Sequence, residues 1–336
     1  MKKINQLDLF SGIGGFHLGF EKAGYKVTSY FSEIDQHAIA VYKHKFPNST
    51  YVGSVTDVRG ADLPRIDLIT FGSPCQDFSL AGKRKGMDGD RSSLILEAIR
   101  LIRECQPRVF VWENVKGTFS SNSGEDFAAI LQEFANIGGY RLEWQLLNTA
   151  WFLPQNRERI YLVGYSTATK RNWRGVFPIR ENNGPDIKLQ GQRILSNTIL
   201  QRYEAGANGT YIGERELASQ VKVKSATSIG YEEATIGDSI NLSQPNSETR
   251  IGRVGKQKAQ TLETSCNQAV IEGYRIRRLT HIECERLQGF PDDHTAFGNY
   301  DGVVKPMSNT QRYKQCGNAV TVDVVAAVAE KLKSIL

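Results

Sequence analysis

The sequence contains no run of about 18 uninterrupted apolar residues, the length that a membrane-spanning helix needs. Its first ten residues, MKKINQLDLF, lack the long apolar stretch and the small-residue cleavage site of a secretory signal. We therefore expect a protein without membrane attachment that resides in the cytoplasm.

Cysteine is scarce and scattered. The five cysteines, Cys75, Cys105, Cys266, Cys284 and Cys316, form no Cys-x-x-Cys pair. This spacing argues against a disulfide framework and against a zinc site, and it is typical of a reducing compartment. We expect no metal cofactor.

Neither charge sign dominates strongly. The 336 residues carry a net charge of +6, with 40% hydrophobic and 23% charged residues. This composition is that of an ordinary globular protein, and the length predicts two domains or one domain with an insertion. The positive charge is compatible with a nucleic-acid partner without requiring one.

Strand and helix patterns alternate over the first half of the chain. Residues 4–10, 65–72 and 108–114 read as strands, and residues 92–105 read as a helix between two of them. This alternation predicts an α/β fold with a mostly parallel sheet and helices on both faces.

The pattern changes near residue 170. We predict a catalytic and cofactor-binding domain over 1–170, a loop-rich inserted domain with short strands over 171–273, and a return to the first domain over 274–336. A low-complexity linker is the alternative for the middle segment. The final stretch, residues 320–336, has the pattern of an amphipathic helix that packs on the first domain.

A glycine turn follows the first predicted strand, in the segment DLFSGIGGF of residues 8–16. Gly12 and Gly14 would let backbone N–H groups approach a ligand, and Glu33, at the end of the next strand, could bind ribose hydroxyls. Such turns also serve flavins and simple packing, so this motif alone indicates an adenosine-type cofactor only weakly.

Three further elements fall at the same predicted sheet edge. Cys75 follows a buried strand in GSPCQ, Glu113 follows another, and Arg157 and Arg159 point the same way from an extended segment. They suit a nucleophile, a proton donor and a clamp for a phosphate or carbonyl. Singly, each could be a turn residue or a solvated charge.

Together these elements fit one reaction. Cytosine C5 is a poor nucleophile, but a thiolate added to C6 produces an enamine whose C5 can attack a sulfonium methyl group. A base then removes the C5 proton and the thiolate leaves, so covalent catalysis divides a difficult step in two.

The order of these motifs resembles that of the C5-cytosine DNA methyltransferases of bacteria and phages. DLFSGIGGF, SPCQ, ENV and QNRER are followed by a late motif over Arg278–Pro291 and by QCGNAV at 315–320. The resemblance spans the chain except for about 171–273. It implies a class I S-adenosylmethionine-dependent methyltransferase fold, with the middle segment as a target-recognition domain braced by the late motif.

The resemblance also implies catalytic roles. Cys75 attacks C6, Glu113 contacts N3 and the exocyclic amine, and Arg159 holds the cytosine O2 and the glutamate, with Arg157 beside it.

The implied cofactor is S-adenosylmethionine, without a metal. Phe16 packs on the adenine ring and Glu33 binds the ribose, and the remaining residues expected at the cofactor are Gly12, Gly14, Ile34, Val55, Pro74, Leu94, Asn318 and Val320. The chain departs from the family where it has Ser54 in place of a common aspartate, and Asp57 is the candidate to replace it.

The implied partner is double-stranded DNA. Gln76 and Ser79 would touch its backbone, and residues 76–92, with Lys83 and Arg84, would form a lid over a flipped cytosine. In the middle domain, basic and polar residues, among them Arg253 and Thr261, are the candidates for reading DNA.

We therefore expect a sequence-specific DNA cytosine-5 methyltransferase that acts as a monomer and protects DNA from a cognate restriction endonuclease. A transfer-RNA cytosine-5 methyltransferase of the same type is the first alternative, and a catalytically silent DNA-binding relative is the second. A nicotinamide dehydrogenase would explain only the glycine turn and Glu33, and a zinc deaminase would need ligand spacing that the sequence lacks.

Overall fold

The computed structural model describes residues 1–73, 93–120, 124–168, 175–180, 221–245, 247–272 and 275–336. Its centre is a seven-stranded, mostly parallel sheet, as the alternating pattern predicts. The strands of the first half are β1 (Lys2–Leu9), β2 (Tyr25–Ser32), β3 (Thr50–Tyr51), β4 (Leu68–Gly72), β5 (Val109–Val115), β6 (Tyr140–Asn148), β7 (Gln155–Asn156) and β8 (Glu158–Ser166).

The strand order in this sheet is β3-β2-β1-β4-β5-β8-β6. The five strands from β3 to β5 run parallel, whereas β8 is antiparallel to both β5 and β6. The parallel strands end at one edge, and the order reverses between β1 and β4. Open α/β sheets bind ligands at such a switch point.

Helices cover both faces of the sheet. They are α1 (Gly15–Lys22), α2 (Gln36–Lys45), α3 (Ser93–Cys105), α4 (Gly117–Ser120), α5 (Glu125–Ala135), α6 (His281–Leu287), α7 (Asn309–Asn318) and α8 (Val322–Lys331). Helices α1 and α8 bury apolar side chains against one face, and α3 and α5 bury theirs against the other. The fold class predicted from sequence is thereby confirmed.

The C-terminal helix α8 returns to the first domain, as its amphipathic pattern predicts. It crosses α1 at Gly19, where an ideal Cβ would lie 2.6 Å from Val325 Cβ and 3.2 Å from the Val322 carbonyl oxygen. Only glycine lets the two helices approach this closely.

The middle of the chain forms short strands, as expected. They are β9 (Val221–Lys224), β10 (Tyr231–Ala234), β11 (Ser239–Asn241), β12 (Val254–Gly255), β13 (Ala259–Gln260), β14 (Gln268–Glu272) and β15 (Arg275–Arg278). Strands β9 and β10 pair with each other, and a four-stranded sheet has the order β12-β11-β14-β15. Strand β13 pairs in parallel with β7 and so joins this small domain to the first.

The packing differs from the predicted domain boundaries. Val176 and Ile179 are buried in the core beneath α1 and α8, so the first domain continues past residue 170. Strand β15 pairs with β14 across residue 273, so the sheet of the small domain continues to Arg278. A hairpin of β16 (Phe297–Tyr300) and β17 (Val303–Pro306), which the sequence patterns do not predict, packs against α2.

Asp8 lies fully buried in the central strand β1. Its carboxyl oxygens accept hydrogen bonds from the Thr70 hydroxyl at 2.7 Å and from the Tyr42 hydroxyl at 3.4 Å. Burial nevertheless raises the pKa of Asp8 from the ordinary value of 3.8 to about 8, because desolvation disfavours the carboxylate. Over the residues described, no helix combines the length and hydropathy required of a membrane span.

Candidate active site

A cavity of about 470 Å³ opens at the carboxyl ends of β1, β2, β4 and β5. This volume lies within the range of small-molecule sites. Predicted site residues from both halves of the chain meet at its wall: Gly12, Glu33, Ile34, Val55, Leu94, Glu113, Arg157, Arg159 and Asn318. The topology therefore brings together motifs that are up to 306 residues apart in sequence, the separation of Gly12 and Asn318.

Glu33 directly follows β2, and its carboxylate is held by hydrogen bonds from backbone N–H groups. Oε1 accepts hydrogen bonds from the Ile34 and Asp35 N–H groups at 2.8 and 3.0 Å, and Oε2 accepts one from the Gly12 N–H at 2.9 Å. A carboxylate has about four acceptor positions. One position on Oε2 thus remains for a ligand hydroxyl, which fits the ribose role.

The phenylalanine at this cavity is Phe10 and not Phe16. Phe16 is 3% exposed and packs in the core with α8, and it does not belong to the cavity wall. Phe10 lines the cavity with a φ of 51°, a left-handed conformation that is uncommon for a bulky residue. Phe16 follows the turn and points back into the helix–sheet interface, whereas Phe10 ends the strand at the sheet edge.

Two other predicted cofactor residues lie behind the wall. Gly14 precedes α1 with a φ of 84°, and a Cβ there would collide with the Phe46 ring, so it serves the turn itself. Val320 packs against Gly15, where an ideal Cβ would lie 2.6 Å from Val320 Cγ2. Neither contributes to the cavity lining.

Ser54 lines the cavity where the family resemblance predicts an aspartate. Its hydroxyl lies 2.9 Å from the Thr56 hydroxyl. Asp57 is exposed, accepts a hydrogen bond from Thr56 and is not part of the lining, so the structure does not support it as the replacement.

Lys314 and Gln315 are among the polar side chains of the wall that were not predicted from the sequence. Lys314 donates to Asp35 Oδ2 at 2.7 Å across the rim, and this ion pair contributes to a pKa of Asp35 below its ordinary value. Gln315 is buried, and its Oε1 has no hydrogen-bond partner. Both precede the glycine of QCGNAV on α7, and helical spacing around that motif is the signal that could have found them.

Glu113 and Arg159 face each other from the paired strands β5 and β8. Glu113 Oε1 lies 3.1 Å from Arg159 Nε, and the two side chains are 10% and 15% exposed. The contact is close enough for an ion pair but not aligned as a hydrogen bond, so Oε1 remains without a hydrogen-bond donor. A buried acceptor without a hydrogen-bond donor is suited to a polar ligand.

Arg157 lies deeper than Arg159. Its guanidinium donates to the carbonyl oxygens of Gly317 at 3.3 Å and Ala319 at 2.9 Å. Burial, followed by repulsion from Arg159, lowers the pKa of Arg157 to about 10, so it remains a cation at neutral pH. Arg157 thus holds the end of α7 against the site.

Ser73 directly follows β4 and lies two positions before the predicted nucleophile. Its hydroxyl accepts hydrogen bonds from Trp112 Nε1 at 3.0 Å and from Asn114 Nδ2 at 3.3 Å. These bonds anchor the strand end at the cavity. Six of the predicted site residues lie outside the residues that the structure describes: Pro74, Cys75, Gln76, Ser79, Lys83 and Arg84.

A second, larger cleft of about 810 Å³ separates the small domain from the first domain. Thr261 lines it and donates to the Asn156 carbonyl oxygen at 2.8 Å. Basic and amide side chains, including Lys256 and Lys258, face the same cleft. This composition favours contact with a polyanion.

Arg253, predicted to read DNA, is 4% exposed and turned inward. Its guanidinium donates to the carbonyl oxygens of Asn241 at 2.9 Å, Lys224 at 2.7 Å and Pro245 at 3.2 Å. These bonds tie together the strands of the small domain, so the prediction is corrected: Arg253 is a structural residue.

Within the described residues, no group of three or more His, Cys, Asp or Glu side chains has the arrangement of a metal site. The candidate site is instead built from backbone N–H groups, one fastened carboxylate, one carboxylate–guanidinium pair and apolar walls.

Comparison with known proteins agrees with this geometry. Residues 4–334 match the family of C-5 cytosine-specific DNA methylases. The Type II methyltransferase M1.ScrFI of Lactococcus lactis subsp. cremoris is 33% identical over 339 residues, which cover 99% of this chain and 79% of that protein. The Type II methyltransferase M.NgoBI of Neisseria gonorrhoeae is 34% identical over 339 residues, covering 98% and 93%.

Solved structures share the fold. A putative DNA modification methyltransferase encoded within an Escherichia coli prophage superposes with a TM-score of 0.64 at 21% identity, covering 99% of both chains. The Entamoeba histolytica methyltransferase EhMeth gives a TM-score of 0.62 at 16% identity, covering 99% of both chains. At these sequence identities the structural similarity supports the shared fold alone.

Proposed function

The chain belongs to the C-5 cytosine-specific DNA methylase family and is an enzyme of the DNA cytosine-5 methyltransferase class. From that premise we propose that it transfers a methyl group from S-adenosylmethionine to carbon 5 of a flipped cytosine in a specific duplex DNA sequence. The observation that carries this proposal is that the Glu33 carboxylate and the Glu113–Arg159 pair line the same cavity.

The residues at the β1–β2 end of the cavity fit the cofactor. Glu33 Oε2 has an acceptor position left for a ribose hydroxyl. Phe10, Val55 and Leu94 offer an apolar wall for a purine ring. Gln315 Oε1, buried without a partner, could accept from an ammonium or amino group. When bound, S-adenosylmethionine supplies an electrophilic methyl group on a sulfonium.

The residues at the β4–β5 end fit the base. The proposal assigns Cys75, two positions after the anchored Ser73, as the nucleophile that bonds to C6 of cytosine. The electron pair displaced from the C5–C6 bond moves toward N3, where Glu113 supplies a proton or a hydrogen bond. Arg159 holds the Glu113 carboxyl and the O2 of the base in register.

Completion of the reaction restores the thiolate. Carbon 5 would form its new bond to the methyl group as the sulfur–methyl bond breaks and S-adenosylhomocysteine leaves, and the proton on N3 would return to Glu113. A base then removes the C5 proton, and the electron pair of that C–H bond expels the Cys75 thiolate from C6. In this proposal Arg157 supports the wall of the site, because its guanidinium donates to the carbonyl oxygens of Gly317 and Ala319 at the end of α7.

DNA lies, in this proposal, in the cleft between the two domains. Lys256, Lys258 and Gln260 face the cleft from the small domain, and Asn148 and Trp151 face it from the first domain. The small domain then selects the sequence, and the first domain receives the flipped base. The Type II names of the relatives support a protective role against a cognate restriction endonuclease.

The experiment that tests this function uses the wild type and Cys75→Ser with tritium-labelled S-adenosylmethionine, duplex DNA and a transfer-RNA control. We expect label in DNA from the wild type only, recovered as 5-methylcytosine. Bisulfite sequencing of a plasmid from expressing cells then maps the recognition site. Label in RNA alone would move the function to the transfer-RNA alternative, and unchanged activity of Cys75→Ser would refute the covalent mechanism.

A further inference from the structure

The segment that follows β13 in the small domain packs directly onto the end of α7. After Thr261, the chain passes over Gly317, where an ideal Cβ would lie 2.7 Å from backbone atoms of Glu263 and Thr264. No side chain separates the two segments at this point. A displacement of one segment must therefore also displace the other.

A buried glutamine bridges the same two segments. Gln155 is fully buried, its Oε1 accepts from the Leu262 N–H at 3.1 Å, and its Nε2 donates to the Leu287 carbonyl oxygen at 2.8 Å. One end of its amide thus holds the residue after Thr261, and the other end holds the C-terminus of α6.

The bridge continues from α6 to the cofactor-side loop. Gln288, also fully buried, donates to the Cys316 carbonyl oxygen at 2.7 Å and accepts from the Thr321 hydroxyl at 2.8 Å. Thr321 in turn lies 2.9 Å from the Thr149 hydroxyl, in the turn between β6 and β7. Residues from four separate stretches of the chain share this one buried network.

Resting on the proposed function, we propose that Gln155 is a positioning residue that couples DNA binding at the Thr261 segment to cofactor binding at residues 315–320, the end of α7 and the two residues after it. Gln155 lines neither the cavity nor the cleft, so its side chain acts through its bonds to Leu262 and Leu287. Because a coupling free energy is reciprocal, DNA tightens cofactor binding by the same factor by which the cofactor tightens DNA binding.

The chemistry of the network favours an all-or-none arrangement. Every bond joins a buried amide or hydroxyl to a buried partner, and leaving such a group unpaired costs about 1–3 kcal/mol. The Thr261 segment and residues 315–320 therefore adopt their binding positions together.

The test measures the Kd of S-adenosylhomocysteine by calorimetry, with and without a duplex that carries the bisulfite-mapped site. The variant Gln155→Glu keeps the acceptor for Leu262 but cannot donate to Leu287. We expect DNA to tighten binding by about fivefold or more in the wild type, within the usual range of coupling factors. In Gln155→Glu we expect that gain to fall below about twofold, with the Kd in the absence of DNA little changed.

The matched control is Gln145→Glu. Gln145 makes the same kind of two-ended contact, accepting from the Ile179 N–H at 2.8 Å and donating to its carbonyl oxygen at 2.9 Å, but it lies on β6 away from the network. Its coupling should equal that of the wild type. An equal loss of coupling in both variants would show a general effect of destabilisation and overturn the proposal.

A second pair of variants covers a folding failure of Gln155→Glu. Thr321→Val removes the hydroxyl bonded to Gln288, and Thr321→Ser retains it. The Thr321 side chain makes no capping hydrogen bond to α8, so the valine removes the network bond without removing a cap. We expect loss of coupling in the valine variant and rescue in the serine variant.

A wild type without DNA-dependent tightening, or variants that keep it, would overturn the coupling role. Failure of the proposed function is distinguishable, because it appears as a wild type that forms no 5-methylcytosine.

Discussion

Phe10 and Phe16 border the same glycine turn and differ in what they contact. Phe10 faces the cavity at the end of β1, and Phe16 is buried between α1 and the sheet. Both are phenylalanines at the borders of this turn, so residue type alone does not distinguish their roles. The direction of the chain at the turn decides which side chain faces the cavity.

At this scale we predict opposite phenotypes for two alanine substitutions. Phe10→Ala removes the aromatic wall and should weaken S-adenosylhomocysteine binding by roughly 1–3 kcal/mol, the worth of one aromatic stacking contact with a base. Phe16→Ala should instead destabilise the fold by about 3–5 kcal/mol through a core cavity. Calorimetry and urea denaturation of both variants separate these effects. A folded Phe16→Ala protein with the greater loss of affinity would restore the original assignment.

The elements of the first domain depend on close approaches that few residues permit. Helix α8, from the end of the chain, contacts α1, from its beginning, over Gly19. This contact joins the two parts of the first domain that the small domain separates in the sequence. The end of α7 and the first residue after it line the cavity, and α8 follows three residues after α7, so the positions of these helices set that part of the cavity wall.

We predict that Gly19→Ala destabilises the protein by about 1–3 kcal/mol, the usual cost of overpacking, because the new methyl group meets Val325. Val325→Ala alone leaves a small cavity. Combined with Gly19→Ala it should restore part of the loss, and urea denaturation of the single and double variants measures the interaction. Strictly additive effects would contradict direct contact.

Two basic residues of the small domain, Arg253 and Lys258, differ in what their side chains contact. Arg253 spans three carbonyl groups inside the domain, whereas Lys258 faces the cleft from its surface. From the sequence alone, both basic residues were equally plausible DNA contacts. Their burial distinguishes them, because only Lys258 lines the cleft.

We predict that Arg253→Ala destabilises the protein by roughly 2–4 kcal/mol, since hydrogen bonds from a charged group are lost and carbonyls are left unpaired. Lys258→Ala should leave stability unchanged and reduce the salt dependence of DNA binding by about one phosphate contact. Denaturation curves and DNA titrations at several salt concentrations measure both effects. A stable Arg253→Ala protein with a reduced salt slope would show that Arg253 contacts DNA after all.

On the scale of the whole molecule, the buried carboxyl of Asp8 links stability to pH. The pKa of Asp8 is about 8 in the folded protein and near 3.8 in an unfolded chain. Between these values the folded state retains a proton that the unfolded state has released. Stability therefore falls as pH rises through this window, and above it the full cost of a buried charge is present.

We predict that the free energy of unfolding declines from about pH 5 to about pH 8 with a contribution from Asp8 of at most about 1.4 kcal/mol per pH unit. Asp8→Asn, which cannot ionise, should flatten this decline. Urea denaturation across the range compares it with Asp57→Asn, an exposed control on the same domain. Equal slopes for the wild type and Asp8→Asn would mean that Asp8 ionises without cost.

Periodicity and residue order were sufficient for the architecture of the first domain. Each strand–helix alternation is a local pattern, and a parallel sheet with helices on both faces is the arrangement that buries such elements. The order of the short motifs was likewise sufficient for the family. The sheet edge then follows, because the carboxyl ends of parallel strands share one side.

Contacts between distant segments were decided only by the folded chain. The inward turn of Arg253, the exchange of Phe16 for Phe10, the packing of Val176 and Ile179 in the first domain and the pairing of β15 with β14 depend on partners elsewhere in the sequence. Gln155 bonds to Leu262, which is 107 positions away in the sequence, and Gln288 bonds to Cys316, which is 28 positions away. Local propensity carries no information about such bonds, because their energy arises from burial among groups that only the tertiary structure brings together.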